Sequence, residues 1–237
     1  MAFRPLVLFL MLLAAASAQA TELDRVRELD RARQDERTAF ERDFAEMARL
    51  EPERIRAEGG HVKREGDELA LALREGGRTF FRNDESQCLE GLIPSRDDGC
   101  VAFYFIGHIS RFYVLRARYY AGSDYRLIDD TTGVPTKLPG EPHASPDGSH
   151  VVTVVPAGTY DPAGIEIWSI AADTPLREWR HEPKQYALYY FVRWDGNAKI
   201  ELEVTTYVDR ELQRLPAQLM LGESGWMLQG PPETSRY

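Results

Sequence analysis

Residues 143–155 read HASPDGSHVVTVV, and residues 165–170 read IEIWSI. Ser145-Pro146-Asp147-Gly148 holds the residues a tight turn needs. Ser and Asp cap it with side-chain oxygens, Pro presets φ, and Gly accepts a positive φ. The β-branched run Val151–Val155 then reads as a strand. In the second stretch Ile165, Ile167 and Ser169 share one face, while Glu166, Trp168 and Ile170 share the other.

The same texture extends outward from this stretch. Glu68–Leu73, ELALAL, alternates with Leu69, Leu71 and Leu73 on one side, which predicts a half-buried strand. Gly76-Gly77 is a turn, and Thr79–Arg82 starts the next strand. Cys100–Ile106, Arg111–Tyr120 and Tyr125–Ile128 follow, then a loop over Asp129–Gly133. Leu188–Trp194 and Ile200–Thr206 flank the turn Asp195-Gly196-Asn197. Gln218–Leu221 and Trp226–Leu228 flank Gly222-Glu223-Ser224-Gly225. Short strands at this spacing predict a mainly β domain: an antiparallel meander, partly propeller-like or a sandwich. No alternating helical pattern supports an α/β sheet.

The Ser-Pro-Asp-Gly turn, its β-branched strand and Ile-Glu-Ile-Trp together resemble a β-propeller blade of the WD40 or TolB-like kind. Asp129–Gly140 resembles the turn and strand leading into such a blade. Val192-Arg193-Trp194-Asp195-Gly196-Asn197 with Ile200–Val204 is a weaker second match without Ser-Pro. The likeness spans residues 129–206. It implies that Trp168 packs between neighbouring blades. The overall pattern is also similar to exported bacterial proteins of unknown function that carry such a blade. That resemblance implies a scaffold and no reaction. The 177 residues from His61 onward accommodate at most four blades of about 40 residues, so a partial array is expected.

The N-terminus carries a different signal. Arg4 precedes the apolar run Leu6–Ala16, and Ser17-Ala18-Gln19-Ala20 supplies a small-residue cleavage motif. This order predicts a signal peptide over residues 1–20, and hence a periplasmic or secreted protein with no transmembrane anchor after cleavage. The run is shorter than the about 20 residues that span a bilayer. Residues 21–60 form a charged helical segment, because 21 of the 38 residues from Thr21 to Glu58 are Asp, Glu or Arg. Phe40, Phe44 and Met47 recur at i, i+4 and i+7 as its apolar stripe. Pro52 is expected to break or restart the helix, and Gly59-Gly60 to end it. Residues 61–237 are then the all-β domain. The stripe either docks on that domain or recruits a partner.

Cys88 and Cys100 are the only cysteines. An even count in an exported chain predicts one disulfide between them. No C-x-x-C motif points to redox chemistry.

The chain has 237 residues and a formal charge of −9, which becomes −10 without Arg4 (28 basic against 38 acidic). That balance argues against nucleic-acid binding. His61, His108, His143, His150 and His181 show no metal-binding spacing. Ser110 lies two residues after His108 but lacks an identifiable third triad member. Asp97-Asp98 and Asp129-Asp130 read as loop carboxylates. No catalytic residue, cofactor or metal ligand is assigned. Two tyrosine groups remain: Tyr104, Tyr113, Tyr119, Tyr120 and Tyr125, then Tyr186, Tyr189 and Tyr190 with Trp194. On a regular strand one member of Tyr119-Tyr120 and one of Tyr189-Tyr190 must face outward.

The leading expectation is therefore a non-enzymatic exported β-scaffold that binds another cell-envelope protein. Phe40, Phe44, Tyr119, Tyr120, Tyr189 and Tyr190 are its candidate contacts. A glycan-binding module using the tyrosines is the alternative, and a hydrolase with dispersed carboxylates a more distant one.

Overall fold

The computed structural model describes residues 38, 41–84, 101–119, 122–155, 164–172, 174–183, 187–209 and 211–231. The chain divides into two compact units, residues 1–50 and 51–237. A helix, α1, covers residues 41–57. Fifteen strands follow among the described residues. They are β1 (Val62–Glu65), β2 (Glu68–Ala72), β3 (Arg78–Arg82), β4 (Ala102–Ile109), β5 (Phe112–Tyr119), β6 (Gly122–Asp129), β7 (Pro135–Leu138) and β8 (Pro142–Ala144). The rest are β9 (His150–Val155), β10 (Gly164–Ser169), β11 (Leu176–His181), β12 (Ala187–Trp194), β13 (Lys199–Val208), β14 (Glu211–Gly222) and β15 (Gly225–Gln229).

The strands form four antiparallel sheets, each a simple meander in chain order: β1–β3, β4–β7, β8–β11 and β12–β15. The protein is thus mainly β, with one helix among the described residues. Each four-stranded sheet has one register shift, at Phe105/Gly107, Ile167/Trp168 and Phe191/Arg193. Such bulges sharpen the local twist.

Among the described residues, three apolar cores join consecutive sheets. Val62, Leu69 and Leu71 of the first sheet pack with Phe105, Leu115 and Ile128 of the second. The opposite face of the second sheet, with Phe112, Val114, Leu127 and Leu138, packs with Val151 and Trp168 of the third. The third sheet's other face, with Val152, Ile165 and Ile167, packs with Tyr189, Ile200, Leu202 and Leu219 of the fourth. The period-2 alternation explains this double burial. Val114 and Leu115 are neighbours in the chain yet enter different cores, as do Val151 and Val152. No core cluster among the described residues joins the first sheet to the fourth.

Pro52 does not break α1, contrary to the sequence expectation. A mid-helix proline loses a backbone bond and costs about 3 kcal/mol. The preceding residue is firmly anchored, and this offsets that cost. Glu51 Oε1 accepts from Arg64 Nη2 at 2.7 Å and from the Phe105 amide at 2.8 Å, and its Oε2 accepts from Arg64 Nε at 3.2 Å. The helix then ends as expected at Gly59-Gly60, both with positive φ.

Candidate functional site

The quoted turn is built as its residues dictate. The Gly148 amide donates to the Ser145 carbonyl at 2.9 Å, and Gly148 adopts φ 67°. Asp147 Oδ1 accepts from Ser145 Oγ at 2.7 Å, Ser149 Oγ at 2.8 Å and the Ser149 amide at 3.0 Å. These bonds, led by that from Ser145, pull the Asp147 carboxyl down to about 2. The turn also reaches the fourth sheet, because the Asp147 amide donates to Asn197 Oδ1 at 3.2 Å. Beside it, His143 stacks on Phe191 at 4.0 Å, and burial lowers the His143 pKa.

Two buried carboxylates mark the third strands of the second and third sheets. Asp124 on β6 accepts from Tyr119 Oη at 2.9 Å and from Lys137 Nζ on β7 at 2.8 Å. Lys137 also lies 5.7 Å from the Tyr119 ring centroid. Its bond to Asp124 raises the Lys137 pKa, and burial raises that of Tyr119. Glu166 on β10 accepts from Trp168 Nε1 at 3.1 Å and from Arg177 Nη1 on β11 at 2.9 Å. Arg177 lies 5.8 Å from the Trp168 ring centroid. Both sheets thus use the same device. A cation from the outermost strand caps a buried acid and rests on the aromatic ring that donates to it.

The Asp129–Gly133 loop is internally saturated. Asp129 Oδ1 accepts from the Thr131 and Thr132 amides at 2.9 and 2.7 Å, and its Oδ2 pairs with Arg111 at 3.1 Å. Burial opposes ionisation there, but these bonds outweigh it and hold the carboxyl below its ordinary value. Asp130 pairs with Arg74 at 2.8 Å. His108 Nδ1 meets Glu58 Oε2 at 2.8 Å, an acid that the sequence did not connect with it. Among the described residues no group of three metal-ligating side chains occurs, and no helix is long and apolar enough to cross a membrane.

The fourth sheet has one face in the core and one outside it. Tyr190, Leu212, Arg214, Met220 and Met227 occupy the outer register positions, opposite Glu203, Tyr207, Thr205, Lys199 and Met220 respectively. Leu212 and Met227 are 52% and 44% exposed. Val192 is exposed at the β12 bulge. Arg214 pairs with Glu203 and lies 5.2 Å from the Tyr190 ring centroid. Arg193 grips Glu201 with two bonds of 2.7 and 2.9 Å, and Lys199 bridges Asp195 at 2.9 Å.

The structure separates the candidate contacts. Tyr190 is half-buried on this outer face. Its neighbour Tyr189 is 3% exposed and belongs to the core, so it is not a surface contact. Phe44 and Met47 are 4% and 5% exposed. Tyr119 is half-buried and engaged with Asp124 and Arg126. Phe40, Tyr120, Tyr186, Cys88 and Cys100 lie outside the described residues. Sequence reading missed Leu212, Arg214 and Met227. The alternation of β14 is the signal that places Leu212 and Arg214 on one face. No family model, curated protein or solved structure matches the chain.

Proposed function

We propose that the chain is an exported, non-enzymatic scaffold of blade-like sheets that binds another cell-envelope protein through the outer face of its fourth sheet. The blade-like, partly propeller-like reading is favoured over a sandwich because the second and third sheets are cored on both faces. A two-layer sandwich buries one face of each sheet. Export rests on the signal-peptide pattern of residues 1–20.

One observation carries the binding reading: Tyr190, Leu212, Met227 and two ion-paired arginines share one outward face. Tyr, Met and Arg are the residue types enriched in protein interfaces. The arginines are held in place by Glu201 and Glu203, so less side-chain freedom is lost on docking.

Photo-crosslinkers placed at Leu212 and Met227, with a control at Glu65 of the first sheet, test this in intact cells. The expected result is one adduct of the same mass from both fourth-sheet positions, absent at Glu65 and weakened by Tyr190→Ala. Equal background from all three positions overturns the reading.

A further inference from the structure

β4 lies at one edge of the second sheet. Residues 101–106, which lead into and form this strand, read VAFYFI, with no charge and no proline. A short uncharged run of high β-propensity on a sheet edge is the pattern that pairs with its own copies. The edges at β1 and β11 differ, because VKRE and LREWRH carry charges that oppose such pairing.

The β4 edge is closed by other means. The backbone groups of Val101, Phe103 and Phe105 turn away from β5, and they meet partners one after another. Val101 and Asp84 exchange both backbone bonds, at 2.8 and 3.1 Å. The Phe103 amide donates to Asn83 Oδ1 at 2.8 Å, and the Phe103 carbonyl accepts from Arg64 Nη2. The Phe105 amide donates to Glu51 Oε1 at 2.8 Å, the same oxygen that accepts from Arg64 Nη2 at 2.7 Å. From Val101 to the Phe105 amide, every group turned to that side is thus engaged. Beyond Val101 the partners are side chains. A further strand would carry the ladder outward to a new edge, whereas an ion pair and an amide end it.

We propose that Glu51, Arg64 and Asn83 form a guard that keeps the β4 edge from pairing with β4 of a second copy. An antiparallel self-pair would set VAFYFI against itself, apolar against apolar, with no like charges opposed. The guard and the second copy compete for the same backbone groups. The guard competes from within the chain, at an effective concentration that a free second copy does not reach. The proposal concerns the second sheet and does not rest on the outer face of the fourth.

Sedimentation velocity and amide exchange on the full-length protein test it, in wild type and in the double variant Glu51→Ala, Arg64→Met. The double variant removes both members of the ion pair, so neither charge is left buried alone. It is expected to dimerise as concentration rises, with its Phe105 amide exchanging about tenfold more slowly in the dimer than in the monomer. In wild type the Phe105 rate is expected to be the same at every concentration. A double variant that is folded and monomeric throughout overturns the guard. So does a dimer in which the Phe105 rate is unchanged, or a wild-type Phe105 rate that falls as concentration rises. Should the double variant not fold, Asn83→Ala, which frees the Phe103 amide alone, is read in the same way through Phe103 exchange. Slowing with concentration supports the guard there, and a constant rate overturns it.

Discussion

Trp194 donates its indole N–H to the backbone carbonyl of His143 at 3.0 Å, tying β12 of the fourth sheet to β8 of the third. The same indole meets Trp226 edge-on at 5.9 Å. Trp194→Phe keeps a ring but removes this bond between the sheets, while the carbonyl keeps its place in the β8–β9 ladder. Its expected cost is about 0.5–1.5 kcal/mol, read as a lowered urea midpoint with an unchanged slope. A midpoint equal to wild type would show that the bond adds nothing.

The two acid clamps predict a matched pair of variants. Asp124→Ala removes the acid that faces Arg126 and Lys137, and Glu166→Ala removes the acid that faces Arg177 and Arg180. Buried ion pairs are costly to break, but these cations are partly solvated, so each loss is expected near ~1–3 kcal/mol. Lys137 is 65% exposed, and Lys137→Met is expected to cost under about 1 kcal/mol. The acids share no partner, so the double variant should lose the sum of the single losses. Urea unfolding of the four proteins checks this, and a strongly non-additive double refutes independent clamps.

Alkaline behaviour follows from two tyrosines. Burial, then Asp130 and Glu58, raises the Tyr113 pKa, and burial, then Asp124, raises that of Tyr119. Both phenols therefore ionise more readily in the unfolded chain. Their contribution to stability is complete below the ordinary tyrosine value and is lost as pH rises through the folded values. Ultraviolet titration should show two phenols ionising late in the native protein and normally in urea. Tyr113→Phe and Tyr119→Phe should each remove one late step.

Cys88 and Cys100 give a fourth test. If they are bridged, the urea-unfolded, unreduced protein offers no thiol to alkylation. Reduction should then lower stability by roughly 3 kcal/mol, the chain-entropy value for a loop of this size. Alkylation of both residues without reduction contradicts the bridge.

What the sequence revealed tracks position within a sheet. Ile200–Thr206 and Ile165–Ile170 are flanked by strands on both sides, and their alternation was plain. The three strands without a counterpart in the sequence expectation are β1, β8 and β11, and all three lie at sheet edges, as does β7. An edge strand bonds on one side only, so Pro135 and Pro142 are tolerated there and the charges of VKRE and LREWRH remain solvated. These same features erase the β signal. β14 runs over Glu211–Gly222, well beyond the expected Gln218–Leu221, and holds Pro216 within it. Its free edge explains the tolerance, since β15 pairs only with Gln218–Gly222. The candidate face was hidden for a related reason: which tyrosine of a pair turns outward depends on a register that the chain alone does not specify. Tyr190 rather than Tyr189 faces out because it lies opposite Glu203 rather than Val204.

Among the described residues, three cores link the four sheets as a row, each sheet held by its immediate neighbours. Within that set the two inner sheets are cored on both faces and the two outer ones on one face only. Such a row frays from its ends. Local opening should begin at β1–β3 or at the β14–β15 edge and reach the second and third sheets last. In amide exchange, Leu115 and Ile167 would outlast every position of β1, and the centre of the row would remain ordered while either end came apart.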